Sequence, residues 1–323
     1  MILVVTINPL LERRFRVNLV RLGEVHRNNI MNFAAGGKGL NVSRQLKKLG
    51  LKSFNYFFSG GNDGRIFREI VKKENLEFSF IQTKAETRNA AVILSEKEKN
   101  ITTFFSKDPL ISENEVADFK AKLDKMICNC EIVVFSGSSP SQETDSIFPY
   151  GIGLANKYDK VSVCDTYGNT LLNCIDAVPT IIHNNFSEIE NTFKIKLDSE
   201  QSVLSFIQKL YNKQIKRVYL TNGSKNFYAS NFDYIYKVKP VDIKTIDATG
   251  SGDSFVAGIV KGWVNSEVFE DTLKYSTALA ALNAASFDVA SVDPKEAELI
   301  KDKVEIFSVG KKAKTIDDSP HEI

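Results

Sequence analysis

A chain of 323 residues, 43% of them hydrophobic, can bury the core of one large α/β domain with a small appendage. Its net charge of +2 comes from acids and bases mixed along the chain, which leaves no basic stripe for nucleic acid and no polybasic face for a membrane surface. No apolar run reaches the ~18 residues that span a bilayer, and the opening residues 1–7 read as a buried strand and not as a signal peptide. Four cysteines that read as thiols of a reducing compartment lead to the expectation of a cytoplasmic protein.

Residues 1–8 are expected to form the first strand. Residues 9–33 alternate in short pieces (Phe15, Val17 and Leu19, then Val25, Ile30 and Met31) and read as short strands outside the main sheet. Gly36, Gly37 and Gly39 then lead into a helix whose apolar positions Leu40, Val42, Leu46 and Leu49 keep helical spacing up to Gly50. Residues 54–58 read as a strand, 59–64 as a turn, 66–75 as a helix and 78–81 as a strand. Residues 88–94 and 101–105 read as two arms of a hairpin.

From about residue 112 strands and helices alternate: helix 116–127, strand 132–135, helix 147–158, strands 161–164 and 180–182, helix 203–211, strand 217–221. A β-patterned run follows over 234–246, then helices over about 254–264 and 268–286. This order implies a mostly parallel sheet with helices on both faces. Polar and glycine clusters follow the strand ends, where open α/β sheets bind ligands. Cys128, Cys130, Cys164 and Cys174 lack metal-site spacing and are expected to be buried thiols. Residues 311–323 read as a polar tail.

Two stretches carry chemistry. In the first, residues 246–255, Gly250, Ser251 and Gly252 precede Asp253 and an apolar helix. Amides at a helix start are unsatisfied and favour an anion, and Asp253 sets a proton acceptor beside them. A dinucleotide fingerprint would need a third glycine where Phe255 stands, and a Walker loop would need Lys-Ser or Lys-Thr. Taken alone, the stretch reads equally as a tight loop with a surface aspartate. The second, residues 34–44, offers Gly36, Gly37 and Gly39 as a backbone floor for a small polar ligand, with Lys38 and Asn41 as donors, or a plain flexible turn. Together they favour phosphoryl transfer to a hydroxyl.

With Gly36-Gly37-Lys38-Gly39-Leu40-Asn41-Val42 near one end and Asp247-Ala248-Thr249-Gly250-Ser251-Gly252-Asp253-Ser254-Phe255 near the other, the sequence resembles the PfkB carbohydrate kinases of the ribokinase-like superfamily. Residues 6–9, the Arg27 region and Glu86-Thr87-Arg88-Asn89 are most similar to the 1-phosphofructokinase and tagatose-6-phosphate kinase branch. The resemblance implies a three-layer α/β/α core (residues 1–8, 34–85 and 107–310) and a β-sheet lid (9–33 and 86–106) that forms a homodimer contact. It implies a kinase acting on a sugar phosphate with ATP and Mg²⁺, fructose 1-phosphate being the leading substrate and tagatose 6-phosphate and fructose 6-phosphate its rivals. Asp253 would be the general base, and the amides of Gly250, Ser251 and Gly252 the anion hole. Glu12, Gly36, Gly37, Lys38, Asn41 and Ser138 would hold the sugar, and Arg27 and Arg88 its phosphate. On the nucleotide side, Asn185 and Glu188 match an Asn-x-x-Glu that positions Mg²⁺ through water, while His183, Thr221, Gly223, Ser224 and Asn283 would border the nucleotide. The chain departs from the branch in Glu12 for Asp, in His183-Asn184 for Lys-Pro, and in Ser139-Pro140-Ser141-Gln142 for Leu-Pro-Pro-Gly. A regulatory sugar-phosphate- and nucleotide-binding protein with weakened catalysis is the alternative attached to these departures.

Overall fold

A computed structural model describes residues 1–27 and 29–309; the expected polar tail lies outside the described residues. The first strand, β1 (Ile2–Thr6), is buried throughout. Ile2 and Val4 pack with Val42 and Phe255 on one face, while Leu3 and Val5 pack with Phe119 and Ile152 on the other. A strand covered on both faces reads as an unbroken apolar run, and that is why 1–7 shows no alternation. The chain continues through β2 (Leu10–Val17), β3 (Ile30–Gly36), α1 (Lys38–Lys48), β4 (Ser53–Gly60), α2 (Gly61–Lys73), β5 (Glu77–Thr83), β6 (Asn89–Ser95) and β7 (Asn100–Phe105). Next come α3 (Glu113–Cys128), β8 (Ile132–Ser136), α4 (Ile147–Lys157), β9 (Val161–Asp165), α5 (Asn169–Asp176), β10 (Ile181–Asn185), α6 (Phe186–Phe193) and α7 (Glu200–Asn212). The last elements are β11 (Arg217–Thr221), β12 (Phe227–Asn231), β13 (Tyr234–Lys239), α8 (Ser251–Val264), α9 (Phe269–Ala284), α10 (Pro294–Ile300) and β14 (Glu305–Val309).

The strands form a ten-stranded sheet of order β14-β13-β12-β11-β10-β9-β8-β1-β4-β5 and a separate four-stranded sheet of order β3-β2-β6-β7. From β11 to β5 every pairing is parallel, and β12, β13 and β14 add an antiparallel edge. After β1 the chain builds outward through β4 and β5, then returns to β8 and builds the other way. The β1/β8 junction is therefore the topological switch point, where such sheets open a crevice beyond the strand C-termini. In the small sheet β2 pairs parallel with β6, and the expected hairpin appears as antiparallel β6 and β7.

Several expectations need correction. Residues 61–64, read as turn, form the first turn of α2. Its N-cap Gly60 has no side chain to cap with, and the cap arrives from a distance: Glu86 Oε1 accepts the Asn62 and Asp63 amides, each at 3.1 Å. The strand expected to end at 182 runs on to Asn185, so His183 and Asn184 are strand residues. The β-run expected to reach 246 stops at Lys239, and α8 begins at Ser251, which puts Asp253 in its first turn. The short helices α5 and α6 and the elements β12, α10 and β14 had no strong periodicity to announce them. Cys130, Cys164 and Cys174 are buried, whereas Cys128, in the last turn of α3, is exposed.

Candidate active site

A cavity of about 680 Å³ opens beyond the strand ends, between the small sheet and the amino end of α8. Asp253 is placed there by the N-terminal geometry of α8. Gly250 sits at the N-cap in the left-handed region with φ +78°, and a Cβ there would clash with Val289. The next residues begin the helix. The Ser251 amide donates to Ala248 O at 3.1 Å, so it is engaged in a turn; the Gly250, Gly252 and Asp253 amides have no protein acceptor among the described residues. Of the three amides expected to form an anion hole, those of Gly250 and Gly252 are unengaged and that of Ser251 is not, while the Asp253 amide is also unengaged. If the unengaged amides serve the transferring group, Gly250→Ala is expected to lower kcat ~10-fold or more with a smaller change in KM, because a Cβ in this conformation distorts the loop that presents them; paired kcat and KM measurements check it.

Asp253 is 4% exposed. Burial first, and then the Asp165 carboxylate, push its pKa up to about 7, against the pull of Lys38, the Asn41 hydrogen bond and His183. Asn41 Nδ2 donates to Asp253 Oδ2 at 2.8 Å. Asp165, at the end of β9, is completely buried. It lies 3.3 Å from Lys38 Nζ and 3.3 Å from His183 Nδ1, and accepts from Ser136 Oγ at 2.9 Å. Although burial acts to raise it, Lys38 and the His183 and Ser136 contacts hold Asp165 well below the usual carboxylate range. Lys38 Nζ also donates to Glu188 Oε1 at 2.9 Å. Burial pulls Lys38 down, but Asp165, Glu188 and Asp253 together hold it above its ordinary value. The two aspartates therefore divide: Asp165 stays ionised against the lysine, and Asp253 keeps proton affinity near neutrality.

On the small-sheet side, Glu12, Gly37 and Arg88 line the cavity. Burial raises Glu12 above its ordinary value, despite Arg14 and Arg44 nearby. Gly36 lies against the Glu12 carboxylate rather than on the cavity wall; a Cβ on Gly36 would come within 2.5 Å of Glu12 Oε1. Arg88 Nη1 donates to Asp108 Oδ1 at 3.0 Å and Nη2 to Asn8 O at 3.3 Å, while its buried Nε has no partner. Ser138 accepts from Asn8 Nδ2 at 3.0 Å and lines a second groove. Arg27 is exposed and does not line the cavity.

The opposite end is lined by His183, Asn185, Thr221, Gly223 and Ser224, and by an apolar wall of Val241, Ile243, Ala280, Ala281 and Ala284. That wall suits a planar base. Asn283 does not line it. Its side chain is spent holding the glycine loop: Nδ2 donates to Thr249 O at 2.7 Å and Ser251 Oγ at 3.1 Å, and Oδ1 accepts from Ala290 N at 2.7 Å. The residue expected beside the nucleotide thus braces the glycine loop from behind and stands off the cavity wall. Asn185 and Glu188 form a capping box on α6: Asn185 Oδ1 accepts the Glu188 amide at 2.9 Å and Glu188 Oε2 the Asn185 amide at 3.0 Å. Both are hard oxygen donors. Among the described residues no cluster of three or more acidic, His or Cys side chains could hold a metal alone. Such a sparse set fits a magnesium ion that keeps its waters and borrows phosphate oxygens.

A profile of the pfkB family of carbohydrate kinases matches residues 8–296. The chain belongs to the pfkB carbohydrate kinase family. It is a phosphotransferase with a sugar hydroxyl as acceptor. This kinase is 29% identical over 313 residues to the tagatose-6-phosphate kinases of two Staphylococcus epidermidis strains, covering 96% of this chain and 100% of each relative. Among solved structures it is similar to a possible 1-phosphofructokinase from Thermotoga maritima, with a TM-score of 0.87 at 22% identity over 96% of this chain and 99% of that one. The tetrameric inhibited form of phosphofructokinase-2 from Escherichia coli superposes with a TM-score of 0.85 at 20% identity, over 94% and 98%.

The structure brings Gly37, Lys38 and Asn41 of one glycine stretch and Gly250, Ser251, Gly252 and Asp253 of the other to the same cavity, whereas Asp165, Asn8, Asp108 and Arg44 were not among the residues expected at the site. In the sequence Asp165 only opens a polar turn after strand 161–164, and its position as the last residue of β9 is what marks it. No helix among the described residues is long and apolar enough to cross a membrane.

Proposed function

We propose that this carbohydrate kinase transfers the γ-phosphoryl group of ATP to a hydroxyl of a ketohexose monophosphate. The observation that carries the reading is Asp253: a buried carboxyl with a pKa near 7, in the first turn of a helix whose Gly252 and Asp253 amides are unengaged. The acceptor hydroxyl lies against the floor at Gly37 and Asn41 and gives its proton to Asp253 as the oxygen attacks in line. The free amides and Lys38 hold the charge on the transferring group. Arg88 meets the phosphate already on the sugar. The nucleotide lies along Gly223, Ser224 and the apolar wall. Asn185 and Glu188 would hold Mg²⁺ through water, and the ion would neutralise charge on the nucleotide phosphates.

The sequence motifs lead to fructose 1-phosphate, with fructose 1,6-bisphosphate as product; the names of the full-length curated relatives favour tagatose 6-phosphate. The small sheet serves as the lid over the sugar, and large apolar side chains at its edges (Ile30, Met31, Phe33 and Phe104) support its use as a homodimer contact. The free thiols suit a reducing cytoplasm. ADP release measured over fructose 1-phosphate, tagatose 6-phosphate, fructose 6-phosphate and unphosphorylated fructose tests the reading. The expected result is Mg²⁺-dependent turnover with at least one ketohexose phosphate and little with fructose. Binding of sugar phosphate without any ADP release would replace the enzyme by a regulatory binding protein.

A further inference from the structure

Arg44 stands one turn after Asn41 on α1 and does not line the cavity. Its guanidinium is nonetheless committed on several sides. Nε donates to Glu74 Oε2 at 2.7 Å and Nη2 to Glu74 Oε1 at 3.0 Å. Nη2 also donates to the Ala35 carbonyl, just before the glycine floor, and Nη1 donates to Asn41 Oδ1 at 2.8 Å. Asn41 in turn donates from Nδ2 to Asp253 Oδ2. A continuous chain therefore runs from Glu74, beyond the end of α2, through Arg44 and Asn41 to Asp253.

We propose that Arg44 is the positioning residue for Asp253, acting by fixing which end of the Asn41 carboxamide faces it. The proposal rests on the reading of Asp253 as the base. Its physical ground is the donor inventory. A carboxamide has two ends of nearly equal size, one that accepts and one that donates. A guanidinium only donates. With Arg44 anchored by two bonds to Glu74, the oxygen end of Asn41 must turn toward it, and the NH₂ end is left for Asp253. An N–H facing Asp253 favours the carboxylate, the form that can take a proton. If Asn41 were reversed, its carbonyl oxygen would face Asp253 and favour the protonated acid, which cannot act as a base. The other charged or titratable groups facing Asp253 are Lys38 from α1, Asp165 from β9 and His183 from β10. None of them contacts the oxygen end of Asn41.

A double-mutant cycle tests this, with kcat and KM measured across pH for Arg44→Met, Asn41→Leu and the pair. Arg44→Met is expected to lower kcat ~10-fold and to move the acid limb of the kcat profile upward by about one pH unit. In the Asn41→Leu background it is expected to change kcat by less than ~2-fold, because its effect passes through Asn41. Arg44→Lys, which also only donates, is expected to restore the limb toward its wild-type position. Where Arg44→Met fails to fold, Arg44→Gln replaces it, since Gln can accept as well as donate and lets Asn41 reverse. An acid limb unmoved in these variants, or effects of Arg44 and Asn41 that simply add, overturns the role of Arg44. Failure of the underlying reading looks different: a wild-type profile with no acid limb, together with an active Asp253→Asn enzyme, removes the base itself.

Discussion

Asp253→Asn is expected to abolish turnover and, at pH 8, to make the folded protein more stable than the wild type. The two effects share one cause. Asp253 is buried beside Asp165, and its pKa rises from 3.8 to about 7. A carboxyl whose folded value exceeds its unfolded value binds its proton more tightly in the native state. The stability this gives is fully present below pH 3.8 and is lost as pH rises to about 7. The wild type at pH 8 therefore holds a carboxylate at a cost, and the neutral amide of Asn removes that cost. The expected gain is about 1–3 kcal/mol at pH 8, shrinking toward pH 4, and urea unfolding at both pH values measures it. Over the same window wild-type kcat rises as Asp253 ionises, while the variant falls ~10²–10⁴-fold and keeps most of its sugar-phosphate affinity. Near-wild-type turnover in Asp253→Asn would remove the proposed mechanism, and a variant less stable than the wild type at pH 8 would contradict the electrostatic account.

The sequence exposed the parts of this site whose chemistry is local. Gly250, Gly252 and Asp253 are neighbours in the chain, so a loop without Cβ atoms beside a carboxylate can be seen without coordinates. Asn185 and Glu188 are likewise a capping pair three residues apart. The alternation after residue 112 announced the parallel sheet because each strand is buried on both faces. What stayed hidden is non-local. Asp165 acquires its role only because β9 ends beside Lys38, a contact that spans 127 positions. The start of α2 was misread because its cap comes from Glu86. Asn283 was expected beside the nucleotide from the family resemblance alone, and nothing local in the sequence shows that its side chain faces the glycine loop, donating to Thr249 O and Ser251 Oγ. That the Ser251 amide is engaged while its neighbours are not was hidden for a related reason: which amide a turn consumes depends on how Ala248 folds back, and composition does not report that.

In the proposed function Arg88 meets the phosphate already on the sugar, so Arg88→Ala is expected to raise KM for the sugar phosphate ~10²-fold with a smaller loss in kcat. The side chain is only 16% exposed, lies 5.7 Å from the centre of the Phe105 ring, and borders the cavity. Its contacts to Asp108 and Asn8 O hold the fork in place but leave Nε without a partner. A buried, unpartnered guanidinium N–H is costly unless a ligand meets it, and a phosphate dianion is the group its planar fork fits. Each charge-assisted hydrogen bond lost costs about 1.5–3 kcal/mol, so loss of one or two accounts for the expected rise. In the proposed binding mode the phosphate lies away from the reacting hydroxyl, so removing its anchor weakens ground state and transition state together. Arg88→Lys is expected to recover only part of the affinity, since an ammonium restores the charge and not the fork. The decisive comparison is with unphosphorylated fructose as acceptor: its weak turnover should be the same in wild type and Arg88→Ala. A KM for sugar phosphate that Arg88→Ala leaves unchanged would place the phosphate elsewhere, and an equal loss with fructose would make Arg88 a support of the small sheet instead of a reader of phosphate.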